Sequence, residues 1–156
     1  MRFDIVNARF DQLDRTPWKP AVVGSDGSIT WAEFKVEVER MADVIRGLEL
    51  PAGHPVMVRG HKEVGMVSAM AACMLCGHPY IPLDVVVPMD RVKRIQVITG
   101  SQLLIDHTAD AIPETIRNVW QNGSLRQNAH APVGAGIPDR PQDPIRYSIY
   151  TSGSTG

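Results

Sequence analysis

The chain closes on Thr151-Ser152-Gly153-Ser154-Thr155-Gly156, a run of hydroxyls broken by two glycines. Gly153 and Gly156 let the backbone bend and turn its N–H groups toward an anion. Thr151, Ser152, Ser154 and Thr155 can donate to phosphate oxygens without adding bulk. This donor set suits a triphosphate. The glycine spacing and the absence of a Gly-Lys-Ser/Thr ending rule out a Walker loop. By composition alone such a hexamer also reads as a flexible linker. Its position argues for the cradle: it follows "IRYSIY", which reads as a strand, and open α/β sheets bind ligands beyond the carboxyl ends of their strands.

The other residues with chemical potential are better explained by structure. Asp84 could ligate a metal, but an aspartate at a strand end more commonly accepts backbone N–H bonds. Arg91, near a helix start, could meet a phosphate or a partner protein, and an ion pair on a solvated face is the plainer role. His61 follows a strand and has no identifiable partner acid, so capping or packing is expected. Cys73 and Cys76 form a C-x-x-C, yet no second Cys or His pair completes a zinc site, and both lie in the apolar run "VSAMAACMLCG" as small buried hydrophobes. Trp18, Trp31 and Trp120 are assigned to packing. No residue is assigned a catalytic or metal-binding role.

The elements around these residues follow from periodicity. Apolar positions Ile5, Val6, Phe10 and Leu13 predict a short amphipathic helix, ended by Pro17 and Pro20. "AVVG" and "SITW" around "SDG" read as a hairpin in which Gly27 takes positive φ. In "TWAEFKVEVERMADVIRGL", Thr30 and Glu33 form a capping box, Phe34, Val38, Met41, Ile45 and Leu48 share one face, and Gly47 and Pro51 mark the end. "PVMVRG", "PYIPLD" and "SQLLID" are short strands separated by two helices, the second opening at Pro88. Pro82 restricts its strand to an edge or a strand end. "PETIRNVW" fits a helical turn or a short strand, and residues 121–144, rich in Gly and Pro, read as a long surface connection. Alternating strands and helices predict an α/β fold: a mainly parallel sheet flanked by helices.

Composition narrows the function. The chain has 156 residues, 44% of them hydrophobic and 21% charged, as in a globular domain with a core. Its net charge is -1 and its cations are scattered among acids, so the basic stripe of a nucleic-acid binder is missing. The acids spaced through the first fifteen residues argue against a signal peptide, and no segment suits membrane insertion. A cytoplasmic location is the expectation.

Three ordered motifs carry a resemblance. "YTSGSTG" resembles the nucleotide-binding signature of the adenylate-forming superfamily. "ITWAEFKVEVERMADVIRGL" resembles that family's early Thr-Tyr-x-Glu-Leu helix through Thr30, Trp31, Glu33 and Phe34. "MLCGHPYIPLDVVVPMDRVKRI" resembles its Gly-x-x-Tyr-x-Pro-x-Asp and Pro-x-x-Arg segment through Gly77, Tyr80, Pro82, Asp84, Pro88 and Arg91. The form "YIPLD" is that of the amino-acid-activating branch, and Gly60-His61 after a strand is most similar to the D-alanine:carrier protein ligases. Adenylation domains of nonribosomal peptide synthetases are the near alternative. Leu75 and Cys76 depart from the family's usual Lys-Ala.

The resemblance implies a two-step reaction using ATP and Mg²⁺. An amino acid carboxylate attacks the α-phosphorus, pyrophosphate leaves, and the aminoacyl group passes to the phosphopantetheine thiol of a carrier protein. It also implies that Thr151, Ser152 and the Gly153 to Gly156 backbone hold the β- and γ-phosphates. Residues 1–156 then correspond to the N-terminal part of an AMP-binding adenylation domain, truncated within the phosphate-binding loop and inactive alone. A non-catalytic interaction module that keeps part of the fold is the rival from another class.

Overall fold

A computed structural model describes residues 16–131. Two strands, β1 (Pro20–Gly24) and β2 (Gly27–Thr30), form the expected antiparallel hairpin, with Gly27 at φ 141. Helix α1 (Trp31–Gly47) starts on the capping box. The Thr30 N–H donates to Glu33 Oε2 at 2.7 Å, and the Glu33 N–H donates to Thr30 Oγ1 at 3.4 Å. Gly47 is the last helical residue, not the turn beyond it; the left-handed position falls on Glu49 at φ 49, whose N–H reaches the Arg46 carbonyl.

The main sheet contains β3 (Val56–Gly60), β4 (Tyr80–Asp84), β5 (Leu103–Asp106), β6 (Asn118–Gln121) and β7 (Ser124–Gln127) in the order β4-β3-β5-β6-β7. The first four run parallel, and β7 returns antiparallel to β6. Helix α2 (Val64–Leu75) joins β3 to β4, and α3 (Met89–Thr99) joins β4 to β5. Pro82 sits mid-strand opposite Val58, and β4 is the edge of the sheet among the described residues, so its missing N–H leaves no ladder bond unmade there.

The pleat sends alternate residues of β3 and β5 to opposite faces. Val56, Val58, Leu103 and Ile105 pack with α1 and α2, whereas Met57 and Leu104 pack with Val92 and Ile95 of α3. These strands are buried throughout, as parallel strands covered on both faces must be. The result is the mainly parallel α/β sheet with flanking helices that the alternation predicts.

Two further expectations change. The reading of 121–144 as a connection fails at its start, where Gln121 ends β6 and Ser124–Gln127 is β7. Asn122 and Gly123, at φ 52 and 79, close a two-residue hairpin turn. Trp18 is 70% exposed and does not serve packing as Trp31 and Trp120 do. The predicted helix over Phe3 to Leu13, the rest of the connection, and the strand and hexamer at 145–156 lie outside the described residues.

Candidate functional site

In a parallel sheet a crevice opens where neighbouring strands send their connections to opposite sides. Here that point lies between β3 and β5. The chain leaves β3 through α2 toward β4 on one side, and leaves β5 toward β6 on the other.

Side chains of the chain itself fill this crevice. Arg59 and Asp106 are register partners at the carboxyl ends of their strands, 3% and 0% exposed. Arg59 Nη1 donates to Thr108 Oγ1 at 2.9 Å and to Asp106 Oδ2 at 3.4 Å. Nη2 donates to Asp110 Oδ2 at 2.7 Å and to the Val85 carbonyl at 3.2 Å. Gln121 Nε2 donates to Asp106 Oδ2 and to the carbonyls of Thr108 and Asp110. One guanidinium thus ties the loop after β4 to the loop after β5, a use for which its planar fork suits it better than a lysine. Its Nε is buried without a hydrogen-bond partner among the described groups, as is Nε2 of His107.

The start of α2, where an anion could bind, is taken as well. The hairpin tip lies on the β3–α2 loop: the Ser25 N–H donates to the Lys62 carbonyl at 2.9 Å and Ser25 Oγ to the His61 carbonyl at 2.8 Å. Asp26 Oδ1 accepts the Val64 N–H at 2.8 Å, supplying the negative charge that the first turn of α2 lacks. A Cβ on Gly24 would stand 2.7 Å from both Lys62 O and Val64 N, so only glycine permits this approach.

Beside the crevice His61 Nδ1 lies 3.3 Å from Asp84 Oδ2, the two side chains 56% and 42% exposed. His61 therefore has the partner acid its sequence neighbourhood did not reveal. Asp84 also accepts the Val86 N–H at 3.0 Å, the strand-end role expected of it. That backbone bond first, and His61 after it, hold its carboxyl below the ordinary aspartate value.

His107 packs against the start of α2, where a Cβ on Gly65 would come within 2.8 Å of the ring. Its other ring neighbour is Trp120, at 5.8 Å between centroids. Burial pushes His107 below the ordinary histidine value, against weaker opposing pulls from Glu63, Asp106 and Asp26. Cys73 lies in the core, where burial holds its thiol far above the ordinary range. Burial raises Cys76 too, and its Sγ contacts the Ala42 carbonyl at 3.6 Å. Both are packing residues with suppressed thiolate character. Among the described residues no group of three or more His, Cys, Asp or Glu is placed to hold a metal, and no helix is long and apolar enough to cross a membrane.

The candidate phosphate ligands Thr151, Ser152, Gly153, Ser154, Thr155 and Gly156 lie outside the described residues. Sequence reasoning missed Arg59. The available signal was a charged residue at the carboxyl end of an otherwise apolar strand, repeated by the aspartate that ends "LLID".

Residues 10–156 match the model of the AMP-binding enzyme family, and the chain belongs to that family. It is similar to proteins named D-alanine--D-alanyl carrier protein ligase: 33% identical over 146 residues to that of Bacillus licheniformis, covering 87% of this chain and 27% of the relative. To that of Bacillus cytotoxicus it is 34% identical over 147 residues, covering 90% and 29%. The chain thus spans under a third of the length of these curated relatives. Among solved structures it resembles a nonribosomal peptide synthetase, FmoA3, in its AMPPNP-bound form, with a TM-score of 0.71 and 26% identity, covering 94% of this chain and 16% of that one. The alpha-methyl-L-serine-AMP-bound form of FmoA3 gives a TM-score of 0.74 at 24% identity.

Proposed function

We propose that this chain supplies the triphosphate-holding part of an AMP-forming ligase that activates an amino acid, with D-alanine the first candidate, and transfers it to a carrier-protein phosphopantetheine thiol. The observation that carries the reading is the family match across residues 10–156, which includes the terminal hydroxyl and glycine run. The names of the similar proteins point to D-alanine and a carrier protein. Arg59 stops the crevice between β3 and β5, and Asp26 occupies the start of α2. The candidate to receive a polyphosphate is the hexamer Thr151 to Gly156, on its resemblance to the nucleotide-binding signature.

In this reading Thr151, Ser152 and the backbone of Gly153 to Gly156 bind and orient the β- and γ-phosphates, with Mg²⁺ sharing their charge. ATP supplies the electrophilic α-phosphorus and a pyrophosphate leaving group. The six residues hold and neutralise; none moves a proton.

The test is amino-acid-dependent pyrophosphate exchange by the full-length protein that contains this chain, over a panel of D-alanine, L-alanine, serine and fatty acids. Exchange with D-alanine, followed by its capture on a phosphopantetheinylated carrier protein, is expected. Exchange only with fatty acids overturns the amino acid assignment. Exchange with another amino acid favours the second reading, a nonribosomal peptide synthetase adenylation domain, which the likeness to FmoA3 supports.

A further inference from the structure

On a guanidinium the N–H bonds of Nε and Nη2 point the same way, at the spacing that the two oxygens of a carboxylate span. Arg59 uses only half of that edge. Nη2 donates to Asp110 Oδ2 at 2.7 Å and to the Val85 carbonyl at 3.2 Å, whereas Nε is buried without a hydrogen-bond partner among the described groups. A buried donor left in this way is costly. It lies at the carboxyl ends of β3 and β5, where their connections diverge and α/β sheets receive ligands.

The two carboxylates on Arg59 are held very differently. Asp106 is 0% exposed and is bound as well by the Thr108 N–H, Thr108 Oγ1 and Gln121 Nε2, so it stays with the cation. Asp110 is 60% exposed and meets Arg59 through one oxygen. Its backbone is fixed independently: Gln121 Nε2 donates to its carbonyl at 2.8 Å, and its N–H donates to Thr108 Oγ1 at 3.2 Å. The Asp110 carboxylate can therefore turn out to water while the loop stays in place.

We infer that the crevice between β3 and β5 is a binding site for a small carboxylate ligand, with Asp110 as its built-in stand-in. The ligand displaces Asp110 Oδ2 and sets its two oxygens on Nε and Nη2, which pairs the donor that Asp110 leaves unpaired. One negative charge replaces another, so the buried pair with Asp106 is undisturbed. A planar carboxylate matches this edge, and chloride, a single point of charge, does not. The inference does not depend on the phosphate-holding role proposed for the terminal hexamer.

The test uses the full-length protein that contains this chain, with isotope-labelled arginine, in its native form and as Asp110→Ala. Sodium acetate is titrated against sodium chloride at matched ionic strength. The Nε–Hε signal of Arg59, identified by its absence from Arg59→Lys, is expected to shift saturably with acetate in both proteins and to reach half-saturation at about fivefold lower acetate in Asp110→Ala, the factor that matches a weak, solvent-screened competitor. Thermal midpoints measured alongside should rise with acetate more in Asp110→Ala than in the native protein, and this readout holds even if Arg59→Lys does not fold. An Arg59 signal that acetate leaves unmoved in Asp110→Ala, or midpoints that rise equally in the two proteins, overturn the inference. So does an equal response to chloride, because screening would then be the cause. Equal acetate demand in the two proteins also overturns it, since Asp110 would then not be the competitor.

Discussion

Arg59 and Asp106 show how a few side chains fix the geometry of the sheet's carboxyl edge. Removing the cation would strand a carboxylate that water does not reach, so Arg59→Met is expected to destabilise the chain by about 3–5 kcal/mol, measured by urea unfolding. Combining it with Asp106→Asn should recover part of that loss, because the buried charge goes too. The Asp110 pair is worth less, about 1 kcal/mol or below, since its carboxylate is 60% exposed. His78 and His107 set the acid limit. Burial lowers both below the ordinary value, although a bond to the His54 carbonyl partly supports the His78 proton. The unfolded chain then binds protons that the folded one refuses, so stability is full above about pH 6.5 and falls as pH drops below it toward the depressed folded values. His78→Gln should flatten that decline in a pH series of thermal transitions; an unchanged slope in both His78→Gln and His107→Gln would contradict the assignment.

At the scale of elements, the capping box does for α1 what the periodicity alone cannot: it decides where the helix starts. Thr30→Ala is expected to cost about 1 kcal/mol. Gly24→Ala should cost about 1–3 kcal/mol, because a methyl group would push the hairpin off the β3–α2 loop; both are read by denaturant titration. The helices and parallel strands were legible in the sequence because a single local signal defined each: the box at Thr30, the 3.6-residue stripe of α1, the unbroken apolar runs of β3 and β5. The β6–β7 hairpin was not. Asn122-Gly123 is a strong turn signal, but β7 is mostly exposed and polar, so its strand lacks the alternation that burial on one face imposes. The His61–Asp84 pair was illegible for another reason, since only the parallel register of β3 and β4 brings residues 23 positions apart together. The crevice latch likewise needs the crossover that places β5 beside β3, which no local pattern encodes.

For the whole molecule, the described part is a scaffold whose obvious anion-binding positions are taken by its own Arg59 and Asp26, and the proposed function rests on the terminal hexamer. The most direct measurement is an ATP titration into the full-length protein with the amides of Thr151 to Gly156 followed by NMR. The account predicts that these six amides shift with ATP and shift far less with AMP, which has no β- or γ-phosphate. Saturable ATP binding that leaves all six unmoved would contradict it.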